Sequence, residues 1–421
     1  GESWHGLLTA AAGSLPSALA LVILLSTCLC LLASDGYLRR ERVLAGEYHA
    51  LLLWCACGLL LMLRATELLT IFVALELFSI CLYSLAGYHR RLAVASESAI
   101  KYFLMGAFVS AFLLYGIALL YGQTGSTRLA AIGESLAGAA GGSPLAIIGL
   151  LLVIAAFGFK MSLVPFHAWS PDTYQGAPSP FVGFLSVAPK VASAMVLIRV
   201  LITIAEADMG PKWPQLIALL ATLSMLVGNL LALVQRDIKR MLAYSGIGHM
   251  GYLLIPMVAI GADVSTPVLV YLLAYALMNA GAFAIIGMLY ARAGEQHLIT
   301  ELSGWGYRFP LLGLCLTVCM LSLGGIPPTA GFLGKYLIFT HAIQHGHLWL
   351  ALVGIAASLV GVFYYLRVVY MLYMKDEVMA PQGLLLDGWG RLAAVVAAGA
   401  TLLLGIWPSG LLDWLASAVE R

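Results

Sequence analysis

The most regular feature of this chain is a succession of long apolar runs, separated by short polar or Gly/Pro-rich connections. A helix needs about 20 apolar residues to cross the hydrocarbon core of a membrane. Runs of this kind predict twelve membrane-spanning helices, at roughly 16–34, 48–64, 68–87, 97–121, 144–167, 179–206, 214–234, 239–261, 266–290, 308–343, 347–374 and 391–417. Proline interrupts two of the runs, near residue 165 and at residues 324–328, which predicts two broken helices.

Composition supports a membrane protein. The 421 residues are 62% hydrophobic and 10% charged, whereas soluble domains average about 25% charged. We therefore expect an all-α, polytopic bundle in which residues 1–421 form a single transmembrane domain. The net charge of +2 is uninformative about partners, and no stretch resembles a nucleic-acid-binding patch. Tyr336 after Gly334-Lys335 rules out a phosphate-binding loop. The seven cysteines lie in apolar runs and are expected to be packing residues, with no disulfide, haem or iron–sulfur ligand.

Basic residues alternate between the connections. If there are twelve spans, one face of the membrane carries Arg39, Arg40, Arg42, Arg90, Arg91, Arg236, Lys239, Arg240, Arg292, Arg308 and Lys375. The opposite face carries few: Arg64, Arg128 and Lys212. Loops rich in Lys and Arg stay in the cytoplasm. Both termini are therefore predicted on the non-cytoplasmic side.

The two predicted breaks suggest an internal duplication. One broken helix carries Lys160 shortly before Pro165, and the other carries Lys335 shortly after Pro328. About five spans separate them, and an odd number would place the two units in opposite orientations. Inverted repeats with discontinuous helices are typical of transporters. We predict two inverted five-helix repeats, with approximate halves at 48–206 and 214–374.

Four charged residues lie inside apolar runs: Glu76, Lys160, Lys190 and Lys335. A Lys or Asp at the centre of a membrane helix costs about 2.5–3.5 kcal/mol on insertion scales, and such residues usually mark ion or proton pathways. Burial favours the neutral form of a lysine, and a nearby carboxylate favours its charged form. A lysine under both influences can gain and lose a proton, as a proton carrier must. The alternatives are a structural neutralising role for Glu76 and, for Lys190, a side chain that reaches the headgroups.

Three further residues are candidates for proton transfer. His167 and His249 lie near polar breaks in apolar helices, and a neutral imidazole can pass a proton through either nitrogen. The alternative for both is a packed, hydrogen-bonded histidine. Lys101 lies near a helix start and is either part of the path or an anchor at the membrane interface. The spacing of His341, His345 and His347 is compatible with a metal, but an interfacial location explains it equally well.

Long motifs resemble those of the antiporter-like subunits of respiratory complex I and, more loosely, of Mrp-type sodium/proton antiporters. The most extended one is FKMSLVPFHAWSPDTYQGAP at 159–178. Others are similar to the subunit N branch of this family: FLSVAPK at 184–190, DIKRMLAYS at 237–245 with HMGY at 249–252, LSLGGIPPTAGFLGK at 321–335 and SESAIKY at 96–102. The resemblance runs from about residue 48 to the C-terminus.

The resemblance implies a fourteen-span pattern, of which about two N-terminal helices are missing, because the sequence starts late or the lineage lost them. It implies a proton-translocating membrane-arm subunit in the bacterial plasma membrane, coupled to quinone reduction elsewhere in the complex. Glu76 and Lys160 would be the charged pair, Lys190 the central relay and Lys335 the terminal lysine. His167 and His249 would link them through water. NADH, FMN, iron–sulfur clusters and quinone would be bound by other subunits, and the partners would be other membrane-arm subunits and lipids.

Two other functions are open at this point. A cation/proton antiporter subunit without redox partners would make transport depend on sodium. A non-pumping structural scaffold would have no need for charges at all four buried positions, so the retained charges argue against it.

Overall fold

The computed structural model describes residues 14–138, 142–210, 212–259, 264–288, 298–375 and 387–410. Within these ranges the chain is almost entirely helical, and its extended structure is limited to two isolated β-bridges. Ten of the described helices are long and apolar enough to cross a membrane, and Pro144–Lys160 and Pro310–Gly324 are shorter apolar helices. The prediction of an all-helical, polytopic protein is confirmed.

The helices are numbered in chain order. They are α1 (Ser14–Glu41), α2 (Ala45–Arg64), α3 (Leu68–Ala86), α4 (Ala93–Thr124), α5 (Leu129–Leu136), α6 (Pro144–Lys160), α7 (Trp169–Gly176), α8 (Ser179–Glu206), α9 (Lys212–Leu233), α10 (Ile238–Val258), α11 (Ser265–Met288), α12 (Trp305–Arg308), α13 (Pro310–Gly324), α14 (Ala330–Gln344), α15 (Leu348–Met374) and α16 (Gly388–Ile406). A 3₁₀ turn at Ile299–Leu302 precedes α12.

Both predicted breaks occur. The fifth run ends as a helix at Lys160, and the chain passes Pro165 before α7 begins. The tenth run divides into α13 and α14, because Gly325 adopts a left-handed conformation with φ of 78° directly after α13. Pro327 and Pro328 follow, and neither can donate a backbone hydrogen bond to continue the helix.

The centre of the bundle is formed by α8, α10 and α11. The most apolar stretches of these helices are 94–100% buried inside the protein, compared with 33% for α4 and α16. A helix that is buried all round would be expected to be apolar all round. Yet these three carry Lys190, His249 and Asn279, all of which are buried. These three polar residues therefore lie at the centre of the bundle.

The same order of elements occurs twice. In α2–α8, here called the first half, two helices joined by a short junction are followed by a long helix, a short helix, a broken helix and a long last helix. The second half, α9–α15, repeats this order with a 3₁₀ turn and α12 as the short segment. The two β-bridges occupy equivalent places: Glu67 pairs with Arg128, and Asp237 pairs with Leu298. The predicted halves at 48–206 and 214–374, and their opposite orientation, stay predictions.

Candidate functional site: a row of buried lysines

Lys160 is the last residue of α6 and is 2% exposed. Its ammonium donates a hydrogen bond of 2.7 Å to Ser79 Oγ on α3, the one hydrogen bond that it makes among the described residues. The rings of Phe78 and Tyr83 lie 5.5 Å from Nζ, within the range of a cation–π interaction. The break after α6 therefore delivers this amine onto the face of α3.

Glu76 lies on the same face of α3, because residues three apart are neighbours on a helix. It interacts electrostatically with Lys160. The two groups form no salt bridge, since the amine bonds to Ser79 and Glu76 Oε1 is buried without a hydrogen-bond partner in the described structure. The predicted pair is thus brought together, with a hydroxyl beside it and one carboxylate oxygen left unpaired.

Lys190 lies in the middle of α8 and is 1% exposed. It does not reach the membrane surface, so the alternative of a headgroup contact is excluded. Its Nζ has no hydrogen-bond partner in the described residues and lies 5.8 Å from the Tyr174 ring and 5.7 Å from the Tyr275 ring. Gly246 of α10 provides the space, since a β-carbon there would lie 3.0 Å from this nitrogen.

His249 is buried on α10, with a tyrosine hydroxyl at each ring nitrogen. Its Nδ1 lies 2.6 Å from the Tyr271 hydroxyl, and its Nε2 lies 3.1 Å from the Tyr365 hydroxyl. Lys190 and Lys335 both interact electrostatically with the imidazole. A ring with a polar partner at each nitrogen can accept a proton on one side and release it on the other.

Lys335 on α14 reaches back to the end of α13. Its ammonium donates to the carbonyl oxygens of Leu323 and Gly324, each at 3.0 Å, and to Ser358 Oγ at 2.8 Å. The C-terminus of a helix carries unpaired carbonyls and a partial negative charge, and both stabilise a cation. The break between α13 and α14 therefore forms the binding site for this amine.

The remaining predicted residues lie less centrally. His167 is half-buried between α6 and α7, its Nδ1 lacks a partner, and no hydrogen bond joins it to a lysine in the described residues. Lys101 is exposed and forms ion pairs with Glu97 at 2.7 Å and Asp172 at 3.0 Å. This position fits the interfacial anchor that the sequence left open, and it does not join Lys101 to the row.

Helix α7 provides the connection between Lys160 and Lys190. Trp169 Nε1, in its first turn, donates to the carbonyl of Phe159, the residue before Lys160, at 2.9 Å. Tyr174, in its second turn, faces Lys190. The half-helix after the break thus contacts both amine sites.

Several partners of the row were not identified from the sequence. They are Ser79, Tyr271, Ser358 and Tyr365, together with Ser245, whose hydroxyl is hydrogen-bonded to that of Tyr365. Each is a polar group inside an apolar helix, and this signal was available. It was not specific, because Ser and Tyr occur at many other positions in these helices.

The three histidines near the end of α14 form no metal centre. The rings of His341 and His345 stack with centroids 4.2 Å apart, and His345 Nδ1 contacts the carbonyl of His341 at 2.8 Å. Within the described residues, no group of three His, Cys, Asp or Glu side chains could hold a metal ion.

Comparison with known proteins assigns this arrangement to a family. Residues 65–361 match the family described as NADH:quinone oxidoreductase/Mrp antiporter, transmembrane. The chain is 42% identical over 401 residues to NADH-quinone oxidoreductase subunit N of Trichlorobacter lovleyi, covering 95% of this chain and 82% of that protein. It is 41% identical over 403 residues to subunit N of Salinibacter ruber, covering 93% and 80%.

Solved structures show the same fold. A chain of respiratory complex I from Thermus thermophilus with bound aureothin is 36% identical, with a TM-score of 0.81 over 97% of this chain and 90% of its own length. A chain of the Mrp complex from Dietzia is 21% identical and matches in fold, with a TM-score of 0.82, 96% of this chain and 83% of its own length. The chain therefore belongs to the transmembrane family shared by NADH:quinone oxidoreductases and Mrp antiporters.

Proposed function

We propose that this chain is the subunit N of an NADH:quinone oxidoreductase and translocates protons along the row Glu76, Lys160, Lys190, His249 and Lys335. The observation that carries the proposal is the position of these groups on five different helices: the three lysines and His249 are buried inside the bundle, and Glu76 is half-buried beside Lys160. Packing alone gives no reason for five separate helices each to place an ionisable side chain in the bundle, because such groups are costly there.

The row can move protons because adjacent groups affect one another's charge. A protonated lysine disfavours a second positive charge nearby, so a proton that arrives at one site promotes release from the next. The charges of Lys190 and Lys335 both affect the protonation of His249, and the carboxylate of Glu76 favours the charged form of Lys160. His167 remains a candidate entry group, since its position at the break allows contact with water.

The driving reaction is assigned to other subunits. The proposal places NADH, FMN, the iron–sulfur clusters and quinone in the rest of the complex, so this chain contributes to the enzyme without holding a redox centre. Its partners would be the other antiporter-like membrane-arm subunits. In the bacterial plasma membrane both termini would face the non-cytoplasmic side, which accessibility of introduced surface cysteines to a membrane-impermeant reagent would test.

Lys160→Ala tests the proposal directly. Removing the amine should lower the membrane potential formed per NADH oxidised in reconstituted complex by more than it lowers the yield of assembled complex. Lys212→Ala, at an exposed position at the start of α9, is the matched control and should leave both quantities unchanged. Unchanged coupling in a normally assembled Lys160→Ala complex would refute the relay, and sodium-dependent transport without NADH would favour the antiporter function.

A further inference from the structure

A pocket of about 520 Å³ opens at the protein surface, and none of the row residues lines it. It lies where the junction of α2 and α3 meets the start of α5 and the last turns of α8. Apolar side chains such as Leu61 and Ile202 line one part. Its charged lining comprises three arginines, Arg64, Arg128 and Arg199, and two glutamates, Glu67 and Glu206. The formal charge of the lining is therefore +1.

The backbone of the pocket rim is fixed. Leu68 N donates to Thr127 O at 2.8 Å, and Leu129 N donates to Thr66 O at 3.1 Å, which closes the antiparallel bridge between Glu67 and Arg128. This bridge holds the segment before α5 against the α2–α3 junction. The side chains on the rim consequently project from a preorganised frame.

Arg64 and Arg128 are both exposed, and in the described residues their guanidinium groups make no hydrogen bond or salt bridge. Glu67 interacts electrostatically with Arg128 but forms no salt bridge with either arginine in the described residues, and its carboxylate accepts hydrogen bonds from Thr127 at 2.5 Å and Thr70 at 3.2 Å. These bonds lower the pKa of Glu67, so it stays ionised at neutral pH. Arg199 is buried at the base and donates to Ala65 O at 2.5 Å.

The second half of the chain builds the same junction without the two exposed arginines. Arg367 on α15 donates to the carbonyls of Leu233 and Gln235, at 3.0 and 2.6 Å, as Arg199 does to Ala65. The bridge between Asp237 and Leu298 matches that between Glu67 and Arg128, so Leu298 stands where the first half has Arg128. By the same alignment Val234 stands in the place of Arg64. Neither arginine is therefore needed for the junction itself.

We propose that this pocket binds the headgroup of an anionic phospholipid through its phosphate. Arg64 and Arg128 would contact the phosphate oxygens from the rim, because a guanidinium presents paired N–H donors that match phosphate geometry. Arg199 would add positive charge at the base. Leu61 and Ile202 would lie beside the upper part of an acyl chain, since α2 and α8 both enter the membrane from here. This apolar wall favours a lipid over a soluble phosphate.

The test uses the whole assembled complex in detergent and a phosphatidylglycerol analogue with a photoreactive headgroup. Peptide mapping should find adducts at residues 61–70, 128–130 and 199–206. Arg64→Gln/Arg128→Gln should reduce this labelling about thirtyfold, because about 1 kcal/mol per arginine near an anionic lipid surface corresponds to about fivefold each. Arg64→Lys/Arg128→Lys, which keeps the charge, should retain most of it. Arg90→Gln/Arg91→Gln, an equal charge change at another exposed site, should not reduce it.

The controls assign each outcome. Labelling that persists in the assembled Gln variant would overturn the proposal, as would equal labelling by a zwitterionic phosphatidylcholine analogue. Competition by millimolar inorganic phosphate would keep the phosphate site but assign it to a soluble anion. If the Gln variant assembles poorly, Arg128→Gln alone is measured, and it should lose labelling about fivefold.

Discussion

The two halves of the bundle hold a buried lysine at a broken helix in different ways. In the first half, Lys160 ends α6, bonds to one hydroxyl and interacts with the carboxylate of Glu76. In the second half, Lys335 lies on the helix after the break, donates hydrogen bonds to two carbonyls and one hydroxyl, and has no carboxylate partner in the described residues. The ammonium of Lys160 is thus stabilised by a nearby carboxylate, and that of Lys335 by the carbonyls at the end of a helix.

The geometry of the two breaks explains the difference. After α6, the amides of Met161, Ser162 and Leu163 return to the carbonyls of residues 157, 159 and 158, so few helix-end acceptors remain for an amine. After α13, the amides of Gly325 and Ile326 bond to the carbonyls of residues 322 and 321 instead. The carbonyls of residues 323 and 324 are left for Lys335. A buried ammonium needs either a carboxylate nearby or several hydrogen-bond acceptors, because an unpaired charge in an apolar environment is costly.

The largest expected effect would come from adding a methyl group where α14 packs against α13. A β-carbon at Gly331 would lie 1.9 Å from Ser322 O, a backbone atom that cannot move independently. Gly331→Ala should therefore displace α14 from α13, cost about 3 kcal/mol or more in stability, and abolish pumping. Thermal stability and proton translocation of the purified complex measure this. Gly399→Ala, at a position with no atom within 4 Å, is the control and should have neither effect.

Removing the amine of the second half should have the next largest effect. Lys335→Met leaves the carbonyls of Leu323 and Gly324 buried and unsatisfied, at a cost of about 1–3 kcal/mol each, and deprives the row of its terminal proton carrier. Membrane potential per NADH oxidised should fall in complexes that still assemble. If coupling is retained, the row must end elsewhere, and the helix-end site is structural.

Glu76→Gln should affect the first half alone. Without the carboxylate, the charged form of Lys160 loses its electrostatic partner, and its proton should be released more easily. Pumping should decline, by less than with Lys335→Met, and its optimum should move to lower pH. The pH profile of coupling, measured beside Ser84→Ala at an exposed position of the same helix, provides the check. An unchanged profile would show that the pair is not coupled.

The smallest effect is expected from removing the serine hydroxyl beside each lysine, Ser79 beside Lys160 and Ser358 beside Lys335. Ser79→Ala removes the one hydrogen bond that Lys160 makes in the described structure, whereas Ser358→Ala leaves Lys335 with two carbonyls. A hydrogen bond to a charged group contributes about 1.5–3 kcal/mol. Ser79→Ala should therefore reduce coupling more than Ser358→Ala does. The opposite order, in paired measurements of membrane potential, would contradict the account of the two sites given above.

The sequence identified the twelve apolar segments, both breaks, the three buried lysines and the half-buried Glu76. Those conclusions depend on local properties: the length of an apolar run, the missing donor of proline, and the cost of a charge among apolar neighbours. Helix boundaries agreed within a few residues for most spans, for example 68–87 against Leu68–Ala86. Lys101 shows the limit, because its neighbours in sequence allowed both an anchor and a path residue, whereas its ion pair with Asp172, 71 residues away, depends on the tertiary structure.

What the tertiary structure decided was which groups meet. Nothing in the order of residues shows that Lys160 reaches Ser79, that His249 lies between two lysines, or that Lys335 turns back to α13. The same holds for the arginine pocket, whose members come from the ends of four separate helices or junctions. The sequence determines how each helix forms and what it costs to bury its charges. The partners that offset that cost depend on how helices far apart in the chain pack together, and periodicity within one helix carries no information about them.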